Sequence, residues 1–216
     1  IEIPLSIEEP EVTTAKLESN LFTTELASYS TTGGGSEGRR TNISLAVQSC
    51  NGVILLPGET FSYNDVLGER TADKGYQPAG AYSDGEVVEQ LGGGICQVSS
   101  TLFAAVLHTD LEILTRANHS MPVSYLPMGM DATVSWGGPE FKFKNNFAYP
   151  IKISASYSGG TITFKILGAA SDKKKIEVEI KKTGEMGAET YRKYYDENGN
   201  VTSTKRVARS NYKPHS

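Results

Sequence analysis

The clearest hydrophobic periodicity in the chain follows a run of three glycines. In Leu91-Gly92-Gly93-Gly94-Ile95-Cys96-Gln97-Val98-Ser99-Ser100-Thr101-Leu102, and just beyond it, Ile95, Val98, Leu102 and Val106 recur at spacings of three and four, with Ala104 and Ala105 between them. That spacing predicts an amphipathic or buried helix ending near His108 or Asp110. A second helix is expected from Asn42, as N-cap, to Cys50, with Ile43, Ala46 and Cys50 on its apolar side. A short helix is expected within residues 11–22, a strand over 21–30, and a flexible glycine loop over 31–38. Residues 53–56 read as a short strand, 79–89 as a hairpin about Ser83-Asp84-Gly85, and 111–115 as an alternating strand. From Phe141 the pattern is β, with strands at 141–145, 151–157 and 161–167, the last two joined at Ser158-Gly159-Gly160. After a charged break at 171–175, three more strands are expected at 175–182, 189–195 and 201–208. These elements predict an α+β fold with a central buried helix that carries the cysteine at its N-terminus. That helix packs on antiparallel sheet, and a small β extension follows. Residues 1–39 read as a linker or the tail of an upstream module, 40–170 as the main domain and 171–216 as the extension.

Composition adds bounds. The chain has 216 residues, 38% of them hydrophobic and 21% charged, enough to bury a sizeable core. Its net charge of −4, with both signs interspersed, argues against nucleic acid as a partner. No apolar run is long enough to span a membrane, and no signal peptide is visible. The sequence begins at Ile1 without methionine, so it is expected to be an excised fragment whose targeting segment was removed. Two cysteines are too few for a disulfide framework, and both are expected to be free. Cys50 reads as a core thiol.

Cys96 falls in the first turn of its helix, where backbone N–H groups are unpaired and the helix dipole is positive. Both effects favour thiolate, the nucleophilic form. Gly92, Gly93 and Gly94 could bring bare N–H groups against a substrate carbonyl, as an oxyanion hole requires. The plainer alternative is a tight connection ahead of a small buried thiol. Of the three histidines, His215 stands next to the end of the chain, and His108 lies about 18 Å along the helix at about 1.5 Å per residue. His119 follows the strand that returns from the helix, so it can sit beside Cys96. Asp131 and Asn118 are the candidates to orient its imidazole. A hydrogen-bonded loop histidine is the alternative for His119. A metal site from Cys96, His119 and Asp131 lacks regular ligand spacing, and no metal or other cofactor is expected.

Five ordered blocks resemble the VanW domain. They are Pro57-Gly58-Glu59-Thr60-Phe61-Ser62-Tyr63-Asn64, Gly92-Gly93-Gly94-Ile95-Cys96-Gln97-Val98-Ser99, His119-Ser120, Gly129-Met130-Asp131-Ala132-Thr133-Val134 and Phe141-Lys142-Phe143-Lys144-Asn145-Asn146. The resemblance covers roughly residues 40–168. The tail after Lys175 resembles part of a G5-type β module, and the first twenty residues resemble the end of a wall-binding module. The resemblance implies a Gram-positive cell-wall protein. Some members of the family are regarded as L,D-transpeptidases of peptidoglycan, with the cysteine of the glycine block as nucleophile. Carried over, the nucleophile is Cys96, with His119 and Asp131 as catalytic partners. Gly92, Gly93, Gly94, Gln97, Ser99 and Asn118 would then be oxyanion or substrate-binding residues. The implied partners are peptidoglycan stem peptides. The implied location is the cell wall or the outer face of the cytoplasmic membrane, for a monomer whose full-length form is anchored or secreted. Two other readings stand beside this one: a cysteine amidase or endopeptidase acting on stems, and a non-catalytic wall-binding module.

Overall fold

The computed structural model describes residues 13–83 and 86–214. The beginning of the short helix expected within 11–22, the hairpin tip at Asp84-Gly85 and His215 lie outside the described residues. In chain order the elements begin with α1 (Thr14–Asn20), β1 (Thr24–Thr32), α2 (Glu37–Cys50), β2 (Ile54–Leu55) and β3 (Thr60–Ser62). Next come α3 (Tyr63–Leu67), β4 (Pro78–Ser83), β5 (Glu86–Leu91), α4 (Ile95–Leu107), β6 (Glu112–Thr115) and β7 (Lys142–Lys144). The chain closes with β8 (Ile151–Ser158), β9 (Thr161–Gly168), β10 (Lys175–Lys182), β11 (Gly187–Tyr195) and β12 (Val201–Asn211). Helices and antiparallel sheets together make an α+β fold, as the hydrophobic pattern predicts.

The main sheet has the order β1-β9-β8-β2 and is antiparallel throughout. Along β9, Ile162, Phe164 and Ile166 are buried while Lys165 faces solvent, the period-two alternation of a sheet with one covered face. The α4 helix covers that face, packing on β1 and β9 with α2 alongside. Every residue of α4 except Cys96 is buried, the condition of a core helix that is apolar nearly all round. Its polar residues are bonded rather than stranded. Thr101 Oγ1 donates to the Gln97 carbonyl at 2.7 Å and pairs with Thr31 Oγ1 at 2.7 Å, and Gln97 Nε2 donates to Thr31 Oγ1 at 3.1 Å. These contacts fasten the helix to β1.

Two expectations need correction. Residues 24–39 are not linker: β1 pairs with β9 from Thr24–Gly168 to Thr32–Thr161, and α2 begins at Glu37. The physical reason is that β9 would otherwise expose its outer edge, and α4 would lose Thr31. Asn42 is not an N-cap. Ser36 caps α2 by accepting from the Arg39 amide at 3.3 Å, whereas Asn42 is fully buried within the helix. Its side-chain amide donates to the carbonyls of Gln77 (2.9 Å) and Gly93 (3.0 Å), and its Oδ1 accepts from the Gln77 amide. Asn42 thus ties the glycine run to α2. Both cysteines are free thiols, and Cys50 is buried in the core with Ile43 and Ala46.

The remaining strands form a β3-β7-β6 sheet, the β4-β5 hairpin and a β10-β11-β12 sheet. The last of these grips α4 from behind. Arg192 of β11 is buried and donates to the carbonyls of Val106 (2.9 Å), Leu107 (3.0 Å) and Leu111 (2.9 Å). A guanidinium at the negative end of the helix adds a charged donor there, alongside the Thr109 amide and hydroxyl that also donate to the Val106 carbonyl. Tyr194 adds a bond to Asp110 Oδ1 at 2.7 Å. Arg192→Ala should therefore lower stability by about 3 kcal/mol, because buried carbonyls lose a charged donor. Urea unfolding would measure this, and an unchanged midpoint would contradict the capping role.

Candidate active site

The site begins with a helix that has no side-chain cap. Gly94 occupies the N-cap position of α4 at φ +107, a conformation that only glycine adopts readily. Gly93 is needed for space, since a Cβ there would lie 2.4 Å from the Ala79 carbonyl oxygen. Gly92 and Gly93 donate their N–H groups to the carbonyls of Gln77 and Gln90, each at 3.3 Å. The amides of Gly94 and Cys96 donate to no acceptor among the described residues. Of the three glycines expected to offer bare N–H groups, Gly94 alone has an unbonded amide among the described residues, and the Cys96 amide is likewise unbonded.

A short backbone pairing brings the other groups to Cys96. Ala117 and Thr133 form an isolated antiparallel bridge, with the Thr133 amide bonded to the Ala117 carbonyl at 2.9 Å. In antiparallel register, residues two steps further along in opposite directions also face each other, and these are His119 and Asp131. Asp131 Oδ2 accepts from the His119 backbone amide and pairs with Nδ1 of its ring, both at 2.7 Å. The imidazole lines the same cleft as the Cys96 thiol and is close enough to couple to it electrostatically. The same segment reaches the sulfur directly. Cys96 Sγ donates to the Val134 carbonyl at 3.3 Å and lies 3.7 Å from Thr133 Oγ1.

Each of the three groups shifts the others. Burial alone would raise the Cys96 thiol, but the hydrogen bond and charge of His119 outweigh it and hold the thiol below its ordinary value. Burial would lower His119, yet its bonds to Asp131 and Cys96 raise it to about 9. Asp131 is 1% exposed. Burial would raise its carboxyl, whereas His119, Arg116 and Tyr212 hold it below the usual carboxylate range. The arrangement joins a carboxylate, an imidazole and a thiol, groups whose coupling favours the nucleophilic form of a cysteine.

The thiol opens into a cleft of about 1120 Å³ whose wall includes Arg39, Arg70, Gly94, Gln97, Tyr125 and Trp136. Of the expected binding residues, Gly92, Gly93, Gly94 and Gln97 line this cleft with Cys96 and His119. Ser99 and Asn118 are placed elsewhere. Ser99 is buried, and its hydroxyl donates to the carbonyls of Ala132 (2.6 Å) and Cys96 (3.1 Å). Ser99 and its neighbour Ser100 pin α4 to the residue beside Asp131. The Asn118 amide donates to the carbonyls of His119 and Asn211, both at 2.7 Å, so it braces the loop and leaves the imidazole to Asp131.

Residues 38–167 match the family model described as VanW like protein. The chain belongs to the VanW family. Among VanW relatives, it is 44% identical over 165 residues to the uncharacterized protein YoaR of Bacillus subtilis (strain 168), covering 74% of this chain and 54% of that one. It is 34% identical over 135 residues to the vancomycin B-type resistance protein VanW of Enterococcus faecalis (strain ATCC 700802 / V583), covering 58% of this chain and 49% of that one. The chain thus spans about half the length of these curated relatives. No solved structure matches it.

Two residues that brace the VanW site gave no signal in the sequence. Arg116 Nη2 donates to Asp131 Oδ1 at 2.9 Å, and the Tyr212 hydroxyl donates to the same oxygen. Arg116 is itself held by Ser210 Oγ at 2.7 Å. Tyr212 and Ser210 lie beyond the family match, in the C-terminal sheet and the residues that follow it, and their separation from Asp131 along the chain hides them from any local motif. The coupling makes a direct prediction for iodoacetamide alkylation of Cys96 followed against pH. The reactive form should persist below the ordinary thiol value in the wild type. His119→Ala should move the titration upward, because burial is then unopposed. An unmoved profile would show that another group activates the thiol.

Proposed function

We propose that this protein is a peptidoglycan L,D-transpeptidase that forms 3-3 cross-links through a thioester on Cys96. The observation that carries the reading is Cys96 and His119 lining one open cleft, with Asp131 bonded to the imidazole behind them and the amides of Gly94 and Cys96 unbonded among the described residues. Membership of the VanW family supports a cell-wall role. On this reading the protein acts outside the cytoplasmic membrane, on stem peptides, without a cofactor.

The Cys96 thiolate attacks the carbonyl that joins the third stem residue to a terminal D-Ala. An S–C bond forms, and the carbonyl oxygen becomes an oxyanion facing the amides of Gly94 and Cys96. As the C–N bond breaks, His119 gives its proton to the departing D-Ala amine. A side-chain amine of a neighbouring stem then attacks the thioester, neutral His119 removes its proton, and the thiolate leaves. Asp131 keeps Nδ1 of the ring occupied, so the other ring nitrogen faces the chemistry in every step. Because the first departure needs imidazolium, turnover should fall as pH rises through about 9, where His119 loses its proton. Cys50 offers no exchange partner for the thiol, since it is fully buried and burial pushes its own thiol far up.

Incubation with muropeptides bearing tetrapeptide stems tests the reaction. The expected products are 3-3 cross-linked dimers and free D-Ala. Cys96→Ala should give none, and His119→Ala should lower turnover by about 10²–10⁴-fold. Shortened stems without dimers would instead identify a hydrolase. No change in the stems, with retained wall binding, would identify a binding module.

A further inference from the structure

The cleft beside Cys96 holds two cations with no carboxylate partner among the described residues. Elsewhere the ion pairs are conventional, such as Lys165 with Glu25, Lys193 with Glu179 and Arg206 with Glu189. Arg70 lines the cleft yet is only 8% exposed. Its Nη1 donates to the Gly68 carbonyl at 3.0 Å and its Nη2 to Asn64 Oδ1 at 2.5 Å, both neutral acceptors. Its buried Nε has no acceptor among the described residues, and the guanidinium lies 6.0 Å from the centroid of the Tyr63 ring. A buried guanidinium with neutral partners and one idle donor is costly, because buried charges are ordinarily paired. Arg39 stands at the same wall. One amino group donates to Gln97 Oε1 at 2.8 Å, and the other lies 3.3 Å from where a Cβ on Gly94 would be. It therefore sits against the positive end of α4, where like signs repel unless an anion comes between them. Gly94 and Cys96, whose amides are unbonded among the described residues, line the same cleft. Glu69, the single carboxylate among the cleft's lining residues, bonds to neither arginine.

We propose that Arg39, together with Arg70, forms a carboxylate-binding subsite beside Cys96. It takes the free C-terminal carboxylate of the residue that departs from the donor peptide. A guanidinium presents a planar fork that matches a carboxylate. A residue spans only about 3.5 Å, so a carboxylate one residue beyond the scissile carbonyl falls close to the thiol. A longer departing peptide would place a neutral amide there instead. The word donor rests on the acyl-transfer reading above, but the subsite itself does not.

Alkylation of Cys96 by iodoacetate and by iodoacetamide tests the subsite without turnover. In each reaction the thiolate forms an S–C bond and iodide leaves, and the two reagents differ only in the carboxylate. Their rate ratio at Cys96, read by peptide mass, cancels changes in the thiolate itself. The ratio should be about tenfold higher in the folded protein than in the urea-unfolded chain. Arg39→Gln should lower the folded ratio at least about threefold, and Arg39→Lys should fall between, since charge remains but the fork is lost. Equal ratios in folded and unfolded protein would overturn the subsite. So would an unchanged ratio in Arg39→Gln, because the His119 imidazolium alone would then be drawing the anion. If Arg39→Gln does not fold, wild-type protein decides the matter. An acylated dipeptide ending in D-Ala should protect Cys96 from iodoacetamide better than its C-terminal amide does, and equal protection would overturn the proposal. A charge preference without cross-linked products would sink the transpeptidase reading and leave the subsite standing.

Discussion

A carboxylate as deeply buried as Asp131 keeps its charge only if nearly every lone pair is met. Here four donors converge on it. The His119 amide and ring nitrogen take one oxygen, and Arg116 and the Tyr212 hydroxyl take the other. The carboxylate then holds the imidazole protonated, and the imidazolium in turn holds the Cys96 thiol below its ordinary value. Removing the charge at Asp131 would leave the histidine and cysteine to burial, which favours their neutral forms. The electrostatic state of the cleft therefore depends on a group that does not line it.

The α4 helix gives this charge relay a fixed frame. Its C-terminal carbonyls are held by Arg192, and its flank is pinned to β1 through Gln97 and Thr101 and to Ala132 through Ser99 and Ser100. The N-terminus is treated differently. A serine or aspartate at the N-cap would bond one of the first amides, typically adding a few tenths of a kcal/mol over glycine. Glycine stands there instead, and the amides of Gly94 and Cys96 remain unbonded among the described residues. The helix forgoes a stabilising contact at the one end where unbonded donors can act on a substrate. Stability is recovered at the other end, from a sheet that lies outside the family match.

How much of this was legible in the sequence follows from the range of each interaction. The periodicity from Ile95 to Val106 and the alternation in β8 and β9 are local, and they placed the helix and the strands. The pairing of His119 with Asp131 was reachable because both lie on loops returning to the same helix. Ser99 was misplaced because a hydroxyl inside a glycine-cysteine block looks like a ligand, and only packing shows that it faces the Ala132 carbonyl. Asn118 was misread for a similar reason, since a backbone brace and a ring partner look alike without coordinates. Asn42 resembled a cap because its type favours caps, while its partners at Gln77 and Gly93 are distant in sequence. Arg116, Tyr212 and Arg192 act across long separations and have no local signature. The strand over 21–30 was legible from its composition, but not its pairing with β9, which lies more than 130 residues away and joins it to the main sheet.

The central claim is that Cys96 carries the acyl group, and intact-protein mass tests it most directly. After brief incubation with a tetrapeptide stem and no acceptor amine, the wild-type protein should gain the mass of the stem without its terminal D-Ala. The adduct should be released by hydroxylamine, as a thioester is, and should be absent from Cys96→Ala. No adduct on the wild type, or the same adduct on Cys96→Ala, would contradict the account.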